Sequence, residues 1–337
     1  MAAPAPLALT LGDPAGVGPE IIVKAWQALR GGGEPFVVIG DFQALAAASP
    51  AGASILTRVG SVQEAGALFA AALPVLDMPL SAPVVAGKAS SAHAAMIVRW
   101  IETAAGLALS GAVSGVVTAP IAKAPLYEAG FGFPGHTEFL AELTALAPLN
   151  GARGPVMMLA AADLRTALVT IHDPYVEVPA LLTVERIVRT GEVTAQALKR
   201  DFGIAAPRLA VTGLNPHAGE SGSIGREEVD VIIPAVQALR ARGIDAVGPK
   251  PADTLFHPEA RATYDAAICM YHDQALIPVK MLDFWGGVNL TLGLPIVRTS
   301  PDHGVGYDIA GRGVARAESM IAAIRMASEI AQRRLAA

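Results

Sequence analysis

The sequence predicts an α/β fold built on a parallel or mostly parallel sheet covered on both faces. Two observations predict it. Short apolar runs ending in glycine, proline or polar clusters alternate with amphipathic helical stretches, the order of strands joined by crossover helices. The composition, 53% hydrophobic and only 16% charged over 337 residues, is that of a tightly packed globular chain rather than a disordered one. That length accommodates two α/β domains or one large one, with no need of disulfides.

In order, residues 7–11 read as a first strand. The glycine-rich turn GDPAGVGPE follows over 12–20, then an amphipathic helix over 21–29 with Pro19 at or near its first turn. Such a strand, turn and helix start can hold an anion or simply turn the chain. The turn lacks the Gly-Lys-Ser/Thr of a Walker loop and does not match G-x-G-x-x-G. Residues 36–40 form a second strand, 62–71 a helix and 79–87 a connection punctuated by proline and glycine. Ser91 caps a helix that runs to about Leu109, with His93 an ordinary first-turn residue. Residues 112–118 make a third strand. The uncharged run between Glu102 and Lys123 suggests a membrane span at first sight. Gly106, Gly111, Gly115 and Pro120 break it into a helix end, a turn and a strand.

The loop GFGFPGHTE at 130–138 leads into a helix over 138–146, with Thr137 as N-cap and His136 just outside. A backbone N–H, a hydroxyl and an imidazole at a helix start make a phosphate cradle; a capping turn with an incidental histidine is the plainer alternative. Strands over 156–160 and 165–171 form a hairpin through Ala162 and Asp163, and the second ends on His172. A helix over 182–198 precedes a strand over 208–214, which ends on Asn215, Pro216 and His217. A Ser/Gly loop enters a helix over 226–240, and Asp253 lies in a later loop. A strand over 266–270 gives way to a loop at Tyr271, His272, Asp273 and Gln274. Gly311, Arg312 and Gly313 turn the chain into a last amphipathic helix over 316–334, with Met320, Ile321, Ile324 and Ala331 inward.

The chemistry gathers at strand ends. His172, His217 and His272 each follow a strand, and in a parallel sheet those ends face the crevice that binds ligands. Three imidazoles with open positions describe a catalytic divalent-metal site, with Zn²⁺ favoured by nitrogen ligands, provided the rings converge within the chain or across an oligomer interface. A closed structural zinc site needs cysteine, and Cys269 is alone. Lys280, Asn289 and Arg298 stand in apolar surroundings and, with His136 and Thr137, offer donors to a phosphorylated or carboxylated molecule. Asp253 and Asp273 are candidate catalytic carboxylates, for proton transfer or for orienting a histidine. These residues suit metal-assisted alcohol oxidation with hydride transfer to a nicotinamide, and equally a class II type of metal aldolase. A non-catalytic phosphometabolite-binding protein is the third reading.

The bulk properties exclude other classes. A net charge of -5 offers no basic field for nucleic acid. The single cysteine suits a reducing cytosol, and no basic segment precedes the first apolar residues as a signal peptide requires.

The motifs GDPAGVGPE, GHTEFL, GLNPHAGE, PADTLF, MYHDQ, GVNLTLGLPIVRTSPDHG and AGRG, in order over almost the whole chain, resemble the 4-hydroxythreonine-4-phosphate dehydrogenase family of pyridoxine biosynthesis. The resemblance implies an isocitrate/isopropylmalate dehydrogenase-like fold: two α/β/α domains with a cleft between them, here residues 1–125 plus 305–337 and residues 126–304. It implies a cytoplasmic homodimer with the active site at the subunit interface, NAD or NADP as oxidant, and Zn²⁺, Mg²⁺ or Co²⁺. By motif, His172, His217 and His272 correspond to metal ligands, and His136, Thr137, Lys280, Asn289 and Arg298 to substrate contacts. The implied reaction oxidises the C3 hydroxyl of 4-phosphooxy-L-threonine, and the product decarboxylates to 3-amino-2-oxopropyl phosphate. The segment DPYVEVP after His172 departs from the short apolar runs of other members. It leaves relatives acting on 4-phospho-D-threonate or 4-phospho-D-erythronate as the nearest rivals.

Overall fold

The structure, a computed structural model, describes residues 5–32 and 34–336. In chain order its strands are β1 (Leu7–Thr10), β2 (Phe36–Gly40), β3 (Leu56–Arg58), β4 (Leu73–Asp77), β5 (Val116–Thr118), β6 (Val156–Ala161), β7 (Leu164–Leu168), β8 (Arg208–Thr212), β9 (Asp245–Lys250), β10 (Ala266–Cys269), β11 (Val288–Leu292) and β12 (Arg298–Pro301). The chain divides into two compact units, the first running to Pro148 and adding Pro295–Gln332, the second comprising Leu149–Leu294 and the residues from Arg333.

This division differs from the expected one. Residues 126–148 and 295–304 belong to the first unit, and they carry His136, Thr137 and Arg298 with them. The reason is packing. Helix His136–Leu143 lies against helix Ala94–Leu109, and β12 pairs in parallel with β5.

In the first unit the strand order is β3-β4-β2-β1-β5-β12, every pair parallel. β1 is buried at every residue, because it pairs with β2 on one side and β5 on the other. Helix Gly18–Leu29 starts three residues earlier than expected and carries Pro19 in its first turn. Buried Glu20 accepts from the backbone N–H of Ala315 at 2.8 Å, and Lys24 Nζ donates to the carbonyls of Gly313 and Ala315. Asp13 accepts from Ala15 N and from the Tyr307 hydroxyl. The glycine-rich turn is thus stitched to the segment 305–315. Residues 62–71 hold only a short helical stretch, a 3-10 turn over Val62–Glu64 followed by Ala65–Leu68.

In the second unit the order is β11-β6-β7-β10-β8-β9. β6 is antiparallel to both β7 and β11, while β7, β10, β8 and β9 run parallel. Met157, Leu159, Leu164, Leu168, Cys269 and Val279 pack into its core. Helix Val184–Phe202 is capped by Thr183, whose hydroxyl accepts from Arg186 N, and ends at left-handed Gly203. Among the described residues no helix is long and apolar enough to cross a membrane.

Candidate active site

The parallel strands β7, β10 and β8 lie side by side, so their C-terminal ends open on the same edge of the second unit's sheet. Gln274 locks the ends of β10 and β8 together. Its Oε1 accepts from Met270 N at 2.7 Å and from the Thr212 hydroxyl at 2.6 Å, and its Nε2 donates to the Gly213 carbonyl at 2.8 Å. The chain beyond β7 keeps its pairing, with Val169 N donating to Cys269 O and Thr170 N to Met270 O. That pairing carries His172 to the same level as His272.

His272 is the first residue of helix His272–Leu282, not part of a loop as the sequence suggested. Tyr271 sits at the N-cap in an extended conformation, and the helix tolerates Pro278 in its interior. The rings of His172 and His272 lie with centroids 5.7 Å apart. His272 Nδ1 is 2.7 Å from Asp273 Oδ1, which commits that nitrogen and leaves Nε2 for a ligand. Asp273 is also hydrogen-bonded to Tyr175, and these two partners hold its carboxyl below the usual range. Tyr175 packs edge-on against Tyr271 at 5.4 Å. Together these residues line a cavity of about 210 Å³. Tyr175 comes from the divergent DPYVEVP segment, and sequence reasoning gave it no role.

His217 arrives by a different route. After β8 the chain enters a turn over Pro216–Gly222 in which His217, Ala218, Gly219, Glu220 and Ser221 all have positive φ. Four of these are not glycine, and each such residue costs about 1–2 kcal/mol in the left-handed region. Conformations of this kind persist where surrounding contacts over-determine them. Glu228, buried at the start of a π-helical turn, accepts from the backbone N–H groups of Leu214 and Asn215, both at 2.7 Å. The helix expected over 226–240 is therefore a π turn, Glu228–Ile232, running into an α-helix, Ile233–Ala241. His217 itself is exposed, and the structure does not gather it with His172 and His272 within this chain. Among the described residues no group of three His, Cys, Asp or Glu side chains forms a metal centre.

The pair nevertheless fits two ligands of one ion. Two imidazoles on a tetrahedral ion, with metal–nitrogen bonds of about 2.0–2.1 Å, place their ring centroids about 5 Å apart. Two such ligands leave further positions on the ion open.

Lys280 lies eight residues beyond His272 on the same helix, hence on the same face and about 12 Å along the axis. Its Nζ is 5.3 Å from the Phe284 ring centroid. Asn289 is in β11, and its Oδ1 is buried without a hydrogen-bond partner among the described residues. Asp253 is exposed on the short helix Ala252–Leu255 rather than in a loop.

His136, Thr137 and Arg298 sit in the first unit. Helix His136–Leu143 begins at His136, with Gly135 at the N-cap, so Thr137 is not the cap and His136 is not outside the helix. Arg298 is only 5% exposed and donates to the Thr118 hydroxyl at 2.6 Å. Burial brings its pKa down to about 10, with the Glu138 carboxylate acting in the opposite direction, so the guanidinium stays charged at neutral pH. Burial, then the charge of Arg298, depresses the His136 imidazole well below its ordinary value. His136 is half-buried as a residue, yet its Nε2 is sealed from solvent and has no hydrogen-bond partner among the described residues. A buried cation beside a neutral imidazole with a vacant nitrogen suits an anionic ligand carrying hydroxyl or phosphate oxygens.

Residues 33–327 match the family model described as pyridoxal phosphate biosynthetic protein PdxA. The chain is 70% identical over 329 residues to the 4-hydroxythreonine-4-phosphate dehydrogenase of Caulobacter vibrioides, covering 98% of each chain. It is 55% identical to that of Maricaulis maris, covering 97% of this chain and 98% of that one. The crystal structure of the Klebsiella pneumoniae 4-hydroxythreonine-4-phosphate dehydrogenase superposes with a TM-score of 0.85 at 40% identity, over 97% of this chain and 100% of that one.

Proposed function

The chain belongs to the PdxA family of pyridoxal phosphate biosynthetic proteins, and on that premise we propose that it is a 4-hydroxythreonine-4-phosphate dehydrogenase. It oxidises the C3 hydroxyl of 4-phosphooxy-L-threonine with NAD or NADP. Hydride leaves C3 for the nicotinamide and the hydroxyl proton leaves to a base, giving 2-amino-3-oxo-4-phosphooxybutanoate. The bond from C2 to the carboxylate then breaks, carbon dioxide departs and C2 takes a proton, yielding 3-amino-2-oxopropyl phosphate.

The observation that carries the metal part of this reading is the adjacency of the His172 and His272 rings, with Asp273 on Nδ1 of the latter. His172, His217 and His272 hold a divalent ion, Zn²⁺, Mg²⁺ or Co²⁺, with the site completed across the interface of a cytoplasmic homodimer. When bound, the ion would supply Lewis-acid polarisation of the substrate's oxygen atoms. Buried Arg298 supplies fixed positive charge, and His136 and Thr137 supply neutral polar contacts to the phosphorylated substrate. Lys280 and Asn289 are assigned as further donors to the phosphorylated substrate, Asn289 through its polar amide and Lys280 through its charge. Asp273 is committed to His272 and Tyr175 and orients the His272 ring, and Asp253 is the candidate to accept the hydroxyl proton.

The test is an assay of the chelator-treated protein with 4-phosphooxy-L-threonine, NAD and NADP, restoring one divalent ion at a time. Reduced nicotinamide should accumulate only with both substrate and metal. Absence of reduction under every combination sinks the proposal, and faster turnover of 4-phospho-D-threonate or 4-phospho-D-erythronate moves the assignment to those substrates.

A further inference from the structure

We propose that Glu228 is the positioning residue for His217: its buried carboxylate holds the left-handed turn that presents this imidazole to the metal. The inference rests on the reading of His217 as a ligand. The carboxylate faces the root of the turn from two sides. Oε1 takes both backbone N–H groups of Leu214 and Asn215 at 2.7 Å, the two donors freed where β8 stops pairing, and Oε2 takes the Asn215 side-chain amide at 2.9 Å. Glycines make room for it. A Cβ at Gly219 would stand 2.5 Å from Glu228 Oε2, and one at Gly213 would stand 3.1 Å from Oε1 and 2.9 Å from Ala218 Cα. The carboxylate therefore lies directly under the residues that carry His217.

The π turn Glu228–Ile232 has the same logic. One extra residue per turn re-aims the side chain at its start, and such turns recur at functional sites. A carboxylate is the group the geometry needs. It has acceptors on both oxygens and no donor, whereas a glutamine amide would set N–H against the Asn215 amide. Alanine would take the acceptor from the backbone N–H groups of Leu214 and Asn215, while the Asn215 side-chain amide would keep its bond to Glu227 Oε2 at 2.7 Å. His217 follows the anchored Asn215 by two residues and is itself in the left-handed region, at φ 52°. Releasing the anchor lets that residue relax, and the ring direction changes with it.

The experiment is a Co²⁺ titration of the chelator-treated full chain, followed by calorimetry and by the visible ligand-field bands, for wild type, H217A, E228Q, E228A and H217A/E228A. Loss of an outer-shell partner of a metal ligand typically costs about 10–100-fold in affinity. E228A should fall in that range with altered band intensity, and E228Q should fall by less. The double variant should bind no more weakly than H217A alone. Amide exchange of the metal-free protein should rise at Leu214 and Asn215 in E228A. Wild-type cobalt affinity in E228A, alongside loss in H217A, overturns the positioning role and leaves the ligand assignment standing. Additive losses in the double variant also overturn it, because Glu228 would then act elsewhere. Wild-type affinity in H217A overturns the ligand assignment and this inference with it. Unchanged exchange at Leu214 and Asn215 overturns the anchor whatever cobalt does. Should E228A fail to fold, E228Q carries the same comparisons.

Discussion

His136 and Arg298 show how burial sets chemistry one residue at a time. The folded-state pKa of His136 lies below its unfolded value near 6.5, so as pH falls the unfolded chain takes the proton first. The stability this histidine contributes is complete above about pH 6.5 and is lost progressively as pH falls below that value. Replacing His136 by Gln should therefore flatten unfolding free energy against pH between about 6.5 and 5, measured by urea denaturation. An unchanged slope would mean that the ring takes up its proton equally in the folded and unfolded chains. Arg298→Ala removes both the buried charge and the planar fork that reaches Thr118. A charge-assisted contact to the phosphorylated substrate contributes about 1.5–3 kcal/mol, so KM should rise about 10–100-fold while kcat changes less. A KM equal to wild type removes Arg298 from the substrate site.

At the scale of elements, side chains bridge strand ends whose sequences give no sign of it. Gln274 lies in the first turn of the helix His272–Leu282, yet it joins β10 to β8 through three hydrogen bonds. Gln274→Leu should destabilise the fold by about 1–3 kcal/mol, the cost of orphaning buried donors and acceptors, as read from the urea midpoint. A midpoint within error of wild type would show that water replaces the amide. Apolar runs bounded by turns made β1, β2, β5, β6, β7, β8 and β10 legible to within a few residues, because those strands are buried on both faces. β4 was not legible, since it carries Pro74 in a run where proline argues against a strand. β9 was not legible either, with alternate exposed and buried residues broken by Gly248 and Pro249. The strand-to-loop reading at His272 failed because Tyr271 is an unusual N-cap, with no side-chain hydrogen bond to mark the helix start. Strand ends gave the positions of His172 and His272, since periodicity fixes where a strand stops. Nothing in the sequence marked the left-handed turn at His217. The carboxylate that bonds the root of that turn belongs to Glu228, eleven residues further on.

At the scale of the whole molecule, the composition already required a large buried core, yet several large apolar side chains near the histidine pair in sequence stay exposed. Ile277, Met281, Phe284 and Trp285, on and just after the helix that begins at His272, are 61%, 81%, 58% and 48% exposed. Tyr175 and Val176, beside the histidine pair, are 63% and 86% exposed. Large aromatic and methionine side chains gathered in this way are what interface cores are made of, and covering them is worth about 25 cal/mol for each Å² of apolar surface. The proposed homodimer would cover this surface and would explain why only two of the three histidines meet within one chain. Met281→Glu places a carboxylate on the most exposed member of the helical patch, nine residues from His272. Sedimentation equilibrium should then show a monomer that retains the wild-type far-ultraviolet circular dichroism. Its Co²⁺ affinity should fall with the association, because the ligands supplied across the interface are lost. If the variant remains dimeric, the interface lies on another surface. If it becomes monomeric and still binds Co²⁺ as tightly as wild type, all the ligands come from one chain, and His217 must swing to meet the pair.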